Sequence, residues 1–453
     1  MLGRLIQPEV RELIEQRDLR MLREVLTELS VQDAAEALSE FSDEDRALAF
    51  RVLPRETATE VFEHLEPNEQ QMLLASLKDA KAASILNDMS PDDRTELLEE
   101  LPDRVLRRVM RLLTPEEHAL ARALLAYPED SVGRLMTPDY VKVKASMSVS
   151  ECIELLRKVS EEKETIYYVY MVDQANVPIG VVSLPELVCA RPERRLGDLV
   201  HVEDELVKIH ARQDQEEAVQ LLRHYDLVAL PVVDSRDRLV GIVTVDDLMD
   251  VQEEEATEDM QLMSGVVPTE RGYLNARFRD LFRNRLVALV ALAVTATFMG
   301  TVLAYYETEL AGLQSVVNFI IVVMAASGNT GTQAGTLIIR AMAIEEIRAR
   351  EVWRITVREL LMGGTLGLFL GAIVAVIGLN LYSGVSQHEA LVVGGALACS
   401  VMACNMAGLL LPLLLRTLRL DPAFFANPLI TTISDLLALF IFFEASRALL
   451  MSS

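Results

Sequence analysis

Cysteine is scarce in this chain of 453 residues: Cys152, Cys189, Cys399 and Cys404 form neither a CxxC pair nor an evenly spaced set. That excludes a disulfide scaffold and implies a reducing compartment. Histidine is scarce too, and the six copies make no HExxH motif or triad-like grouping, so an enzyme is not expected. Positive charge is missing where it would matter for nucleic acid. Residues 281–453 carry ten Arg and ten Asp or Glu, so positions 1–280 hold 33 basic against 58 acidic groups and the whole net charge of −25. A surface of that sign repels phosphate backbones, and with no basic patch it points to cations as partners. The opening stretch MLGRLIQPEVRELIEQRDLR lacks the apolar run of a signal peptide, which places positions 1–280 in the cytosol.

What the chain does have is a membrane half. Mean hydropathy is +0.24, and apolar stretches occupy about 286–306, 311–327, 360–382, 390–415 and 426–450; most reach the roughly 20 residues that a spanning helix needs. Arginine sits in alternate connections: Arg271, Arg277, Arg279, Arg283 and Arg285 before the first stretch, Arg340, Arg348, Arg350, Arg354 and Arg358 between the second and third, Arg416 and Arg419 between the fourth and fifth. The other two connections have no Lys or Arg, so five spans with the N-terminus inside and the C-terminus outside are expected.

Two of these stretches carry polar groups. The second runs into Gly328-Asn329-Thr330-Gly331-Thr332-Gln333 before AGTLIIRAMA, which reads as a glycine-rich break at the cytoplasmic end of the span; non-helical backbone at that depth is tolerated only beside protein or a water-filled cavity. The fifth begins at Asn427-Pro428 and places Asp435 in the otherwise uncharged PLITTISDLLALFIFF. At about 1.5 Å per residue Asp435 lies roughly 12 Å beyond Asn427, near mid-membrane. An ionised carboxylate there costs about 2.5 to 3.5 kcal/mol, which marks it as a functional candidate. Carboxylate, amide and hydroxyl oxygens without a basic group in mid-span suit a hard cation, Mg2+ or Ca2+, and not an anion. Asn405, in the fourth stretch, is either a ligand in this path or a bond between helices, and Cys399 and Cys404 read as small packing residues.

The soluble half contains two repeats. Ser42-Asp43-Glu44-Asp45, Glu66-Pro67-Asn68-Glu69, Ser90-Pro91-Asp92-Asp93 and Thr114-Pro115-Glu116-Glu117 follow one another at a constant interval. Each supplies an N-cap and an acid at the third helical position, and three have Pro at the first, so each opens a helix. Residues 1–130 therefore read as a superhelix of short hairpins. Further on, Met171-Val172-Asp173 with Ile179-Gly180-Val181-Val182-Ser183 recurs, with the same internal spacing, as Val232-Val233-Asp234 with Val240-Gly241-Ile242-Val243-Thr244. Each copy reads as helix, strand, turn, strand, helix, and the pair over 131–250 resembles tandem CBS domains. Such pairs commonly bind adenine nucleotides through a Ser or Thr and an Asp three residues on. Thr244 and Asp247 match; Ser183 is followed by Glu186 and does not.

Asp246, Asp247, Asp250, Glu253, Glu254, Glu255, Glu258 and Asp259 then crowd into DDLMDVQEEEATED with no base among them. On one helix Asp247, Asp250, Glu254 and Glu258 share a face, a repulsive arrangement unless cations screen it. A merely solvated face is the alternative, but the run lies between the CBS pair and the first span, where a change of charge can reach a pore.

Taken together, GNTGTQAGTLIIRA at 328–341, NPLITTISD at 427–435 and VDDLMDVQEEEATED at 245–259 resemble the MgtE family of magnesium channels and transporters, in the family's order over essentially the full length. The resemblance implies a multidomain chain: an all-α helical superhelix (1–130), a tandem α/β CBS pair (131–250), an acidic connecting or plug helix (251–283) and an α-helical membrane domain of five spans (284–453). It implies a homodimer in the lipid bilayer of the cell membrane with the pore on the two-fold axis. Asp435 then holds hydrated Mg2+, with Asn329 and Asn427 near the cytoplasmic mouth. Regulatory Mg2+ falls to Glu60, Asp92, Glu96, Asp214, Glu216, Asp226, Asp247, Asp250, Glu255, Glu258 and Asp259, and ATP is a further ligand to be tested. High cytosolic Mg2+ would bridge these acids and close the pore. The rivals are a carrier of Co2+, Ni2+ or Mn2+ and a membrane-anchored CBS nucleotide sensor that conducts nothing.

Overall fold

A computed structural model describes residues 2–199, 206–268, 277–309, 314–343, 347, 351–381, 385–418, 420 and 422–450. The chain divides into two compact units, Met1–Glu254 and Glu255–Ser453.

The first unit opens with α1 (Leu2–Gln16), α2 (Leu19–Glu28), α3 (Val31–Ser39), α4 (Asp43–Val52), α5 (Arg55–Glu63), α6 (Pro67–Ser76), α7 (Asp79–Asp88), α8 (Pro91–Glu100), α9 (Asp103–Val109) and α10 (Pro115–Leu124). One period of the sequence repeat is a pair of helices. Ser42, Ser90 and Thr114 cap α4, α8 and α10 by accepting the N–H of the third helical residue, while Glu66 caps α6 with no side-chain bond. Helices two apart in sequence pack on one another, α3 on α5, α5 on α7, α4 on α6 and α6 on α8, around a continuous core that includes Leu38, Phe50, Phe62, Leu86 and Leu98. One position of the repeat ties successive helices. Arg46 Nε donates to the Leu38 carbonyl at 3.0 Å, Gln70 Nε2 to Phe62 at 2.8 Å and Arg94 Nη1 to Leu86 at 3.1 Å, each reaching back to the end of the previous pair. Unpaired carbonyls at helix ends are satisfied in this way.

After α11 (Val132–Leu135) come two similar α/β copies. In the first, β1 (Val141–Val143), α12 (Val149–Val159), β2 (Tyr168–Val172), β3 (Pro178–Ser183) and α13 (Leu184–Cys189) follow one another. In the second, β4 (Ile209–His210), α14 (Gln215–Tyr225), β5 (Ala229–Val233), β6 (Leu239–Thr244) and α15 (Val245–Met263) do the same. Each sheet has its first strand parallel to the second and the second antiparallel to the third, with the register break in the same place, Met171/Val172 and Val232/Val233. The short leading strands β1 and β4 go beyond the sequence pattern. Tyr140 and Tyr170 pack with Ala229, Leu239 and Ile242, so each sheet is covered by the other, as half-covered sheets require. Gly133 lets the chain enter this pair: its N–H donates to the Ala211 carbonyl at 2.8 Å, and a methyl group there would lie 2.6 Å from that oxygen.

The acidic run lies on α15, and the division between the units falls within that helix. The helix ends at Met263, and Gly265 two residues on has a φ of 71°, the left-handed conformation that suits glycine beyond a helix terminus.

The second unit holds α16 (Phe278–Glu309), α17 (Gln314–Val317), α18 (Ile320–Ala343), α19 (Val352–Leu381), α20 (Gln387–Thr417) and α21 (Pro422–Leu450). Among the described residues four helices are long and apolar enough to cross a membrane: those over Phe278–Tyr306, Val352–Leu381, Gln387–Thr417 and Leu429–Leu450. The expected second span is corrected in place and form. Instead of an apolar stretch at 311–327 followed by a break, α18 runs unbroken through Gly328–Gln333. Thr330 and Thr332 hydroxyls donate to the Ala326 and Gly328 carbonyls, at 2.8 and 3.0 Å, which satisfies them inside the helix. The glycines serve close approach: a methyl group on Gly331 would sit 2.4 Å from Ser434 Oγ, and one on Gly408 2.2 Å from the Gly331 carbonyl. Helices α18, α20 and α21 consequently pack at backbone distance. At the end of α15, Leu262 packs with Ile339, Leu415 and Ile430.

Candidate functional site

Two groups of carboxylates stand out, one in each unit. In the first, α8 presents Asp92, Asp93 and Glu96, the loop before β2 presents Glu164, and the start of α15 presents Asp246, Asp247, Asp250 and Glu254. Asp92 is only 8 % exposed, and its Oδ1 has no hydrogen-bond partner. Burial first, and then repulsion from Glu164 and Asp93, raises its pKa well above the usual carboxylate range. Asp247 is raised in the same way, by burial and then by Asp92, although the Thr244 hydroxyl donates to its Oδ2 at 2.6 Å and favours the charged form. Glu164 is pushed up to about 7 by burial with Asp247 and Asp93 nearby, and Glu96 to about 7 by burial with Asp93 and Glu254. Glu96 and Glu164 are exposed at the surface, so solvent screens them far more than Asp92 and damps their shifts.

Glu63, at the end of α5, is also raised, to about 7, by burial and by Asp93, while the Ser90 N–H donates to its Oε1 at 3.1 Å. Among the described residues the charges that raise Asp92 are carboxylates, and only hydrogen bonds, from the Ser90 side chain and the backbone, favour its charged form. A buried anion without a compensating charge is costly, and a divalent cation among these groups would relieve that cost. Among the described residues, no three such side chains are gathered tightly enough to chelate a metal ion as they stand. The arrangement suits a hydrated ion held by outer contacts, since Mg2+ gives up its water reluctantly.

Of the residues expected to bind regulatory cation, the fold brings Asp92, Glu96, Asp247 and Asp250 into one field, with Glu60 beside Glu63 at its edge. Others lie apart. Asp214 caps the start of α14, accepting the Glu216 N–H at 2.9 Å, whereas Asp226 closes the far end of the same helix in left-handed conformation. The whole length of α14 separates them, about 16 Å along the axis. Glu255, Glu258 and Asp259 follow on α15 in the second unit. Sequence reasoning missed Glu63, the last residue of a repeat helix away from the capping motifs, and Glu164, in the mixed-charge run Glu161-Glu162-Lys163-Glu164, and named Asp93 only as a helix-opening acid.

In the second unit, Asp435 on α21 lies half-buried beside α18, its Oδ1 3.1 Å from where a methyl group on Gly328 would be. Among the described residues it has no hydrogen bond or ion pair. One turn below, the Thr431 and Thr332 hydroxyls are 3.4 Å apart, giving a strip of oxygen ligands where α18 meets α21. Asn329 is exposed on α18; the side chain of Asn427 lies outside the described residues. Asn405 is a bond between helices: its Nδ2 donates to the Glu359 carbonyl at 2.8 Å and to Glu359 Oε2 at 3.0 Å. The Cys404 thiol donates to the Ser434 carbonyl at 3.3 Å, the packing role expected of it.

These features define a multi-pass membrane protein with a repeat domain and a CBS pair on its soluble side. Comparison with known proteins gives the family. Residues 29–130 match the MgtE intracellular N domain, 132–193 and 196–254 match CBS domains, and 320–445 match the MgtE divalent cation transporter domain. The chain is 37% identical to the magnesium transporter MgtE of Thermus thermophilus, over 97% of this chain and 98% of the relative. It is 31% identical to that of Bacillus subtilis, over 97% and 96%. Among solved structures, the cytosolic domain of the Mg2+ channel MgtE in complex with ATP shares 39% identity at a TM-score of 0.51, covering 54% of this chain and 99% of its own. The soluble part of a magnesium transporter shares 30% at 0.52, covering 56% and 99%. The chain belongs to the MgtE family, a family of transporters and not of enzymes.

Proposed function

We propose that the protein is a Mg2+ channel or transporter, five-spanning and homodimeric, with its N-terminus in the cytosol, and that cytosolic Mg2+ bound among its acidic groups closes it. Asp435 is the acid that holds hydrated Mg2+ in the pore, α18 supplies the fifth span, and Asn329 and Asn427 lie toward the cytoplasmic mouth. The observation that carries the reading is the buried carboxylate of Asp92, whose Oδ1 has no hydrogen-bond partner, in the field of Asp247, a pair from α8 and α15 whose repulsion a cation or protons relieve. When Mg2+ is abundant it bridges the acids and holds the N-terminal unit compact; when Mg2+ falls, repulsion spreads them and the pore opens. The remaining acids, Asp214, Glu216, Asp226, Glu255, Glu258 and Asp259, are further regulatory ligands in this scheme.

The purified protein in liposomes tests it. Mg2+ uptake that outlasts competition by Co2+, Ni2+ and Mn2+, and that stops as Mg2+ rises on the cytosolic face, supports the reading. Uptake of those ions in preference to Mg2+ would change the substrate, and strong nucleotide binding without any flux would favour the nucleotide sensor. ATP has a specific question attached. Its matching anchor pair, Thr244 and Asp247, is joined by a hydrogen bond of 2.6 Å, while Ser183 and Glu186, which depart from the pattern, form a capping box.

A further inference from the structure

The helical repeat carries an arginine at one position in two of its four copies. In the repeats that start at Ser42 and Ser90, the fourth position after the cap is an arginine. Each arginine does two things. Arg46 and Arg94 donate back to carbonyls of the preceding pair, and each also pairs with the acid at the third helical position of the next repeat, Arg46 with Glu69 at 2.9 Å and Arg94 with Glu117. In the repeat that starts at Thr114 the arginine's position holds His118, and in the repeat that starts at Glu66 it holds Gln70. Its amide keeps the backward bonds, to the Phe62 and Glu63 carbonyls at 2.8 and 3.3 Å, and it is as buried as Arg46, both 6 % exposed. The packing function survives without the charge.

The next-repeat acid that corresponds to Gln70 is Asp93. Where Glu69 and Glu117 have a guanidinium, Asp93 has the hydroxyl of its own cap, with Ser90 Oγ donating to Oδ2 at 2.6 Å, and the field of His64. It lies beside Glu63, Asp246 and Asp250, all acids, and beside the buried Asp92, whose Oδ1 has no hydrogen-bond partner. With Gln70 in the arginine's place, Asp93 receives no guanidinium from the preceding repeat and stands in the field of Asp246 and Asp250 on α15. We propose that Gln70 is a charge gap: by replacing the repeat's arginine it leaves Asp93 as an added negative group for the divalent cation held near Asp92 and Asp247, and so sets how strongly the N-terminal unit depends on that cation. This inference rests on the proposed Mg2+ response of the unit.

The experiment is protease protection of the full-length protein, with and without Mg2+, in wild type and three variants. Gln70→Arg restores the repeat's own solution, for which Arg46 and Arg94 show the space and the carbonyl partners. It is expected to raise protection in the absence of Mg2+ and to reduce the ratio of protection with and without the ion by about two- to fivefold, the range of one ion pair at a partly open site. Asp93→Asn removes the charge without adding volume and is expected to reduce the ratio similarly, which keeps the question answerable if Gln70→Arg fails to fold. Gln70→Met breaks the backward bonds but keeps the gap, so it lowers the melting temperature and retains the wild-type ratio. A wild-type ratio in both Gln70→Arg and Asp93→Asn overturns this inference alone. No Mg2+ response in the wild type overturns it together with the reading beneath it.

Discussion

In the N-terminal unit acids are many, and they face one another across α8, the loop before β2 and α15. In the membrane unit Asp435 stands, among the described residues, beside glycine, serine and threonine where α18 and α21 meet. The first arrangement is unstable by itself: crowding and burial raise Asp92, Asp247, Glu63, Glu96 and Glu164 together. The second is held by packing, with glycines at backbone distance and hydroxyls that bond back into their own helices. Acids whose mutual repulsion must be relieved can respond to a cation by moving, whereas an acid fixed by its scaffold can hold a cation without moving. That difference fits a sensor on one side and a conduction site on the other.

Substitutions separate the two. The largest effect is expected from Asp435→Ala, which should cut Mg2+ flux in liposomes at least about tenfold while thermal unfolding stays as in wild type; full flux would remove Asp435 from the proposed pore. Next, neutralising Asp247, Asp250, Glu255 and Glu258 together should leave flux in place and largely abolish its inhibition by Mg2+, read as uptake against internal Mg2+; unchanged inhibition would mean that these acids are not the sensor. Third, Gly408→Ala forces a methyl group against the Gly331 carbonyl and should destabilise the membrane unit by about 1 to 3 kcal/mol, measured by thermal unfolding in detergent.

A smaller effect concerns pH. Glu63 has a folded pKa of about 7, above its unfolded value of about 4.3. The folded state therefore binds this proton more tightly, and the stability it contributes, full below the unfolded value, is lost as pH rises toward 7. Asp92 and Asp247 act in the same direction. Without divalent ions the melting temperature of the N-terminal unit should be lower at pH 8 than at pH 5, and Mg2+ should flatten the slope; a rise with pH would contradict the burial of these acids. The smallest effect on flux belongs to Asn405→Ala. It leaves Glu359 without its amide donor and should cost about 1 to 3 kcal/mol of stability, with ion selectivity unaltered; altered selectivity would return Asn405 to the pore.

Periodic features were legible before any coordinates. The constant interval between capping motifs became a pair of helices, with Ser42, Ser90 and Thr114 as caps, and the duplicated α/β pattern became two sheets with the same register break. Asp435 was visible because a charge inside an apolar run has few explanations. Convergence across elements was not legible. Glu164 lies in a loop, in a mixed-charge run, and only the fold brings it to Asp92 and Asp247. The polar run of α18 was misread as a break because glycine and threonine have low helix propensity in water, a preference overridden where glycine permits contact and threonine bonds to its own helix. Asn405 could not be assigned without Glu359, which belongs to a different helix, α19.

The most direct test is a Mg2+ titration of protease protection in the purified full-length protein, read at the cleavage sites of residues 1–254. Acids held apart by repulsion and drawn together by a divalent ion predict protection that rises steeply with Mg2+ and is not reproduced by monovalent salt at equal ionic strength. Protection indifferent to Mg2+, or matched by monovalent salt, would contradict the claim that this unit senses the ion.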